Sequence, residues 1–384
     1  MTTVLRASDS AAFLRIVPAL AGFTPRRSIV LLPFRGSRTH GAMRLDLPRP
    51  EVDLTRFADA AIGLAARVDG TDAIAAVVYT DDRPELTPDG LVLPLAVAVD
   101  ELLGRAEEAG LRIVDALCVT PAGWSSYLVD DPQVGVLDTG SPTPEVPGLG
   151  DVTGDQLAGT ALPHADRTLR ERVARALRDI GAALDADSRA PSARPENPDA
   201  LAAIAALDDI PAFFESLLDR PEQTPAFATT ALLWCLERPV FRDVAIAQWA
   251  TDIDGGIRTL DAQFAFAREG RMISDDLGAV FLGTGPAPDA DRLRVALMIV
   301  RHAAAVAPRR MRRGPLTVAA WLSWALGRAS HAAHYLDLVR AIDPQYGLAA
   351  LIRTLLDAAV LPEWAFRGIA PSDRETATDA GAAT

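Results

Sequence analysis

Three short apolar runs constrain the fold more than anything else in this chain. "SIVLLPF" (28–34), "AIAAVVYT" (73–80) and "RIVDALCVT" (112–120) are rich in β-branched residues and too short for ordinary core helices. Runs of this kind read as strands. "AMRLDLP" (42–48) alternates polar with apolar and reads as the partner of the first run, across the loop "RGSRTHG". Helical spacing fills the gaps between them. Ser8 is placed to cap a helix carrying Phe13, Leu14, Val17 and Leu20 and ending near Gly22, with Pro18 predicting a kink or a two-part element. Asp53 precedes Leu54, Phe57, Ala61, Leu64 and Val68. Val99, Leu102, Leu103 and Ala106 share a third helical face, which stops at Gly110. Strands that alternate with helices predict an α/β domain, a mixed sheet with covering helices, over residues 1–134.

The same domain closes on "GWSSYLVDD" (123–131). Side chains alternate across a strand, so Trp124, Ser126 and Leu128 take one face and Ser125, Tyr127 and Val129 the other. The two aromatics then anchor opposite faces and do not pinch one ligand.

The pattern changes after residue 134. "GVLDTGSPTPEVPGLGDVTG" is rich in Gly, Pro, Thr and Asp and predicts a linker or long surface loop over 135–165. Residues 166–370 read as an α-helical domain. "LRERVARALRDIGAAL" is amphipathic, "SRAPSARPENPD" (188–199) is a break, and helices are expected over 200–219, 225–237, 241–250, 257–268, 290–306, 316–326, 329–342 and 346–358. The polar residues 371–384 read as a disordered tail. Near the end, "LTVAAWLSWALGRASHAAHYLDLVRAIDP" sets Gly327 between two helices, a spacing that resembles one tetratricopeptide hairpin.

Composition excludes several chemistries. All 38 basic residues are arginine; the chain of 384 has no lysine. A Walker phosphate loop, a Schiff base and a kinase lysine are therefore impossible. Two cysteines and five scattered histidines cannot build a cysteine-rich zinc site, and neither a metal nor a cofactor is expected. The net charge of −13 opposes nucleic acid and anionic membranes. No apolar run reaches the roughly 20 residues of a spanning helix, and "MTTVLRASDS" lacks the pattern of a secretory leader. The expectation is cytoplasmic, with Cys118 and Cys235 as buried thiols.

The sequence offers few candidate sites. Ser125 or Ser126 beside Asp130 lacks a base and a nucleophile elbow. His331 and His334 share a helical face without a third ligand. "GTGP" (283–286) follows a helix rather than a strand, the wrong setting for a phosphate loop. "PRRMRRGP" (308–315) is the densest charge feature: Arg309, Arg310, Arg312 and Arg313 suit either a phosphate or acidic partner, or the carboxyl ends of neighbouring helices. Trp321 and Trp324 read as core.

The opening "LRASDSAAFLRIVPALAGFTPRRSIVLL", "RLDLP" (44–48), "GWSSYL", "GTGPAPDADRL" (283–293) and "AAWLSWALG" through "DPQYGLAALI" (319–352) together resemble a family of high-GC Gram-positive bacteria, domain of unknown function 4192. The resemblance covers nearly the whole chain and implies no established activity. Members of that family often carry a cysteine pair after the Trp-Ser-Tyr strand, where this chain reads "VDDPQVGVLD", so no thiol role carries over.

No convergent catalytic set emerges. The leading expectation is a non-enzymatic binding or scaffold protein whose helical half contacts a protein partner. The alternative is a small-ligand-binding or hydrolytic α/β enzyme. Its pocket would lie at the carboxyl ends of the three strands, near Arg35, Asp81, Asp82 and Ser125, with Trp124 and Tyr127 as further candidate ligand or partner contacts.

Overall fold

The computed structural model describes residues 9–39, 41–88, 90–137, 154–184, 196–221, 224–272 and 274–366. The chain divides into two compact units, one formed by 1–158 with 366–384, the other by 159–365. Among the described residues no helix is long and apolar enough to cross a membrane.

The first unit contains α1 (Ser10–Ala21), β1 (Ser28–Arg35), β2 (Arg38–Thr39), β3 (Met43–Asp46) and α2 (Leu54–Ala66). It continues with β4 (Ala73–Tyr79), β5 (Glu85–Thr87), β6 (Gly90–Val92), α3 (Ala96–Glu108), β7 (Arg112–Thr120) and β8 (Gly123–Ser126). The sheet order is β2-β1-β4-β7-β8, with β3 also on β1. β4 and β7 are parallel and joined through α3; β1 runs antiparallel to β4, and β8 antiparallel to β7. Both faces are covered, which is why β4 is apolar throughout. Ile29, Leu31, Ile74, Ala76 and Val78 pack with Ala58 and Ile62 of α2 and Val99 and Leu102 of α3. Val30, Leu32, Val77 and Tyr79 pack on the other face with Leu14 and Val17 of α1.

Several boundaries differ from the sequence expectation. Ser8 lies outside the described residues; the α1 cap is Asp9, whose carboxylate accepts from the Ala12 amide at 2.7 Å. α1 is one helix with Pro18 inside it, and Gly22 ends it in the left-handed conformation. The β5–β6 hairpin was not expected at all.

The second unit is helical: α4 (Arg167–Leu184), α5 (Pro198–Ala206), α6 (Ile210–Asp219), α7 (Ala226–Leu236), α8 (Pro239–Ala250), α9 (Ile253–Glu269) and α10 (Asp275–Ala279). α11 (Ala290–Val306), α12 (Arg313–Ala325), α13 (Ala329–Arg340) and α14 (Gly347–Asp357) follow. The single helix expected over 200–219 is two, because Asp209 caps a new start with Pro211 in its first turn. α7 and α12 are buried nearly all round. They approach closely enough that a β-carbon on Gly314 would lie 2.5 Å from the Leu236 carbonyl oxygen. The indole nitrogens of Trp249, Trp324 and Trp364 donate to the carbonyls of Phe214, Val360 and Ala325.

Candidate functional site

The first unit holds a cavity of about 430 Å³ at one edge of its sheet. Its apolar lining is Leu14, Pro18, Pro25, Val119, Pro121 and Leu137. Its polar lining is Arg15, Thr24, Arg26, Arg27, Tyr79, Thr80, Asp81 and Thr120. Topology explains this assembly. β4 and β7 run parallel, so their carboxyl ends, Tyr79–Asp81 and Val119–Pro121, emerge side by side. β1 runs the other way and brings its amino end there, with Ser28 paired to Tyr79. The residues just before β1, including Arg26 and Arg27, therefore reach the same rim.

The loop before β1 is held by a second segment of the unit. Gln156 accepts from the Arg26 amide at 3.1 Å and donates to its carbonyl at 3.0 Å. Thr24 donates its amide to the Gly154 carbonyl at 2.9 Å. Arg27 sits at φ 45°, in the left-handed region. That conformation costs a residue with a β-carbon about 1 kcal/mol, and surrounding contacts must impose it.

Polar groups around the cavity fall into two sets. The first set is bonded: Thr80 donates its hydroxyl to Asp82 at 3.2 Å, and Thr120 donates its own to the Gly123 carbonyl at 3.0 Å. The second set is not. Tyr79 is 8% exposed, and its hydroxyl is buried without a hydrogen-bond partner among the described residues. Burial pushes this phenol far above its ordinary value, so it stays protonated and can donate. The Ser28 hydroxyl, opposite it across the ladder, is also buried and unpartnered. Arg15, Arg26 and Arg27 are exposed, and among the described residues no carboxylate pairs with them. Among the described residues Asp81 is the one carboxylate in the lining.

The residues singled out from sequence fare differently. Asp81 lines the cavity, and Asp82 braces the turn beside it through Thr80. Arg35 does not reach the cavity; β1 is antiparallel to β4, so its carboxyl end lies at the opposite sheet edge, where the Arg35 side chain would meet a β-carbon on Gly70 at 3.0 Å. Ser125 is 3% exposed and donates to the Gln133 carbonyl at 2.9 Å, which uses it structurally. Trp124 packs on the α1 face and exchanges both backbone hydrogen bonds with Gly135. Tyr127 packs on the opposite face and donates to the Pro94 carbonyl at 2.6 Å. The aromatics do lie on opposite sides of the sheet.

In the second unit, Arg309 donates to the Ala341 carbonyl at 3.3 Å and Arg312 to the Ala307 carbonyl at 3.1 Å. Both carbonyls terminate helices, α13 and α11. Arg313 binds Glu237 and Asp343 at 2.9 Å each. Arg310 is exposed. Trp321 and Trp324 are 1% and 0% exposed and belong to the core. Among the described residues no group of three or more His, Cys, Asp or Glu could hold a metal ion.

Sequence reasoning missed Arg15, Arg26, Arg27 and Tyr79. The available signal was "TPRRS", an arginine pair entering a buried strand, and a tyrosine ending another.

The fold and the cavity define a two-unit protein: a three-layer α/β domain with an arginine-rimmed pocket, and a helical domain. The family model described as a domain of unknown function (DUF4192) matches residues 11–363, and the chain belongs to that family. No curated protein and no solved structure matches it.

Proposed function

We propose that the α/β unit is a small-molecule-binding domain whose ligand sits at the carboxyl ends of β4 and β7. Tyr79 carries this reading: its buried hydroxyl costs free energy when nothing accepts from it, and the residue lines a cavity large enough for a metabolite. Binding is favoured over catalysis because the described residues of the lining include no histidine, cysteine or serine to form a nucleophile–base pair. A cytoplasmic setting is part of the reading, and two buried free thiols suit it.

The test is a thermal-shift screen of the full chain against small metabolites, repeated with Leu137→Trp to fill the cavity. Ligands that stabilise the parent and not the filled variant are expected. Stabilisation that survives the filling, or none in either protein, refutes the reading.

A second reading concerns a protein partner of the helical unit. Burial, then the nearby charges of Arg170 and Arg309, push Arg312 below the usual arginine range. Positive charge is thus concentrated here on a chain of net charge −13, with Arg309 and Arg310 open to solvent. Such a patch suits an acidic surface. Charge reversal at both residues is expected to abolish capture of that partner while leaving the fold intact; unchanged capture refutes it.

A further inference from the structure

We propose that the pocket of the α/β unit selects a phosphoryl-bearing small molecule with an apolar body, its anionic end gripped by Arg15, Arg26 and Arg27 and an acceptor atom met by Tyr79. This rests on the reading of the cavity as a ligand site and adds the chemical class.

The argument begins with charge. Among the described residues the lining holds three arginines and one carboxylate, Asp81, on a protein whose total charge is −13. Some arginines of the chain are held by carboxylates, as Arg292 is by Glu215 at 2.6 Å and Arg172 by Asp199 at 3.0 Å. What sets these three apart is their convergence on one cavity, where no carboxylate pairs with them among the described residues and their guanidinium groups are free for an anion from solution. An excess of positive charge suits a dianion better than a monoanion. Planar guanidinium forks suit phosphoryl oxygens, and they supply here what a lysine-free chain cannot supply with ammonium groups.

Shape gives the second part. At about 430 Å³ the cavity exceeds what a phosphate fills, and Leu14, Pro18, Val119 and Leu137 make its walls apolar. The occupant therefore carries an organic body. Tyr79 is part of the lining, and its buried hydroxyl, held protonated by its surroundings, is a donor with no partner among the described residues.

Backbone conformation gives the third. Arg27 is kept at φ 45°, where glycine would rest without strain, and Gln156 clamps its neighbour. The fold itself gains nothing visible from that side chain; a bound anion would.

The experiment uses the full chain and titration calorimetry with three probes: phenylphosphonate, benzoate and the neutral benzenesulfonamide. Phenylphosphonate is expected to bind tightest, benzenesulfonamide at least tenfold more weakly. Arg27→Gly is expected to weaken phenylphosphonate about tenfold, as loss of a charge-assisted contact does, with a melting temperature equal to or above that of the parent, since glycine relieves the left-handed strain. Arg15→Gln is expected to act in the same direction. Tyr79→Phe should weaken binding several-fold without lowering the melting temperature of the free protein. If phenylphosphonate and benzenesulfonamide bind equally and Leu137→Trp abolishes both, the pocket stands and the phosphoryl assignment falls. If benzoate outranks phenylphosphonate, the phosphoryl assignment again falls. If no probe binds at millimolar concentration, or binding ignores Leu137→Trp, both readings fall.

Discussion

The two units differ in the surroundings of their buried polar groups. In the helical unit the large charged and amide side chains answer one another. Arg292 forks onto both oxygens of Glu215 and reaches the Gln248 carbonyl, while Gln248 donates to Glu215 and to Pro211. Arg242 binds Asp243 and the Tyr346 hydroxyl, and Arg313 ties α12 to Glu237 and Asp343. Gln248 Oε1 and Arg292 Nε stay unpartnered, but the same side chains are anchored through their other atoms; Thr229, Trp234 and Ser323 each bury their one side-chain polar atom without a partner among the described residues. In the α/β unit Tyr79 has one polar atom, and it is unanswered beside a cavity rimmed by unpaired arginines. A satisfied network fixes a structure. An unsatisfied donor on a residue that lines a cavity is where a ligand can complete the hydrogen bonding.

The comparison can be broken most forcefully in the helical unit. Trp324→Ala removes a fully buried indole whose nitrogen donates to the Val360 carbonyl, and about 4 kcal/mol of stability should go with it, read by denaturant unfolding. Arg292→Met should cost about 2 kcal/mol, because it leaves the half-buried Glu215 and Gln248 without their cation. The same pair gives a pH signature. The Arg292 hydrogen bonds hold the Glu215 carboxyl below its ordinary 4.5 despite an opposing effect of burial. A depressed folded value means the stabilisation is complete above pH 4.5 and fades as pH falls through the lower folded value. Glu215→Gln should flatten that acid limb of the stability curve, measured by melting at stepped pH. At the small end, Arg309→Glu with Arg310→Glu should shift stability by less than about 0.5 kcal/mol, since Arg310 is exposed and Arg309 offers one long hydrogen bond.

Much of the fold was legible because burial writes itself as hydrophobic runs. β1, β4 and β7 fall where the apolar stretches lie, and Asp53 and Gly110 bound α2 and α3 as expected. Three-residue strands carry no such pattern; Leu86 of β5 is 82% exposed, and the β5–β6 hairpin escaped notice. The break between α5 and α6 hid inside "LAAIAALDDIPAFFESLLD", where apolar spacing continues while Asp209 and Pro211 restart the helix. The site was legible only in part. Its edge of the sheet was anticipated at β4 and β7, and Asp81 is there. Strand direction was not written in the sequence. Reading β1 as parallel put Arg35 at the pocket, whereas the antiparallel register delivers Arg26 and Arg27. Arg15 and Tyr79 join them from α1 and β4, so four polar residues from three segments converge without any local motif.

The central claim is that the Tyr79 hydroxyl is kept for a ligand and does nothing for the fold. Melting temperatures of the parent and of Tyr79→Phe, each with and without phenylphosphonate, test it most directly. Removing a buried donor that bonds nothing should leave the free variant as stable as the parent, or more stable by about 1 kcal/mol, with a smaller shift on adding the probe. A free variant that melts several degrees lower, with an undiminished response to phenylphosphonate, would contradict it.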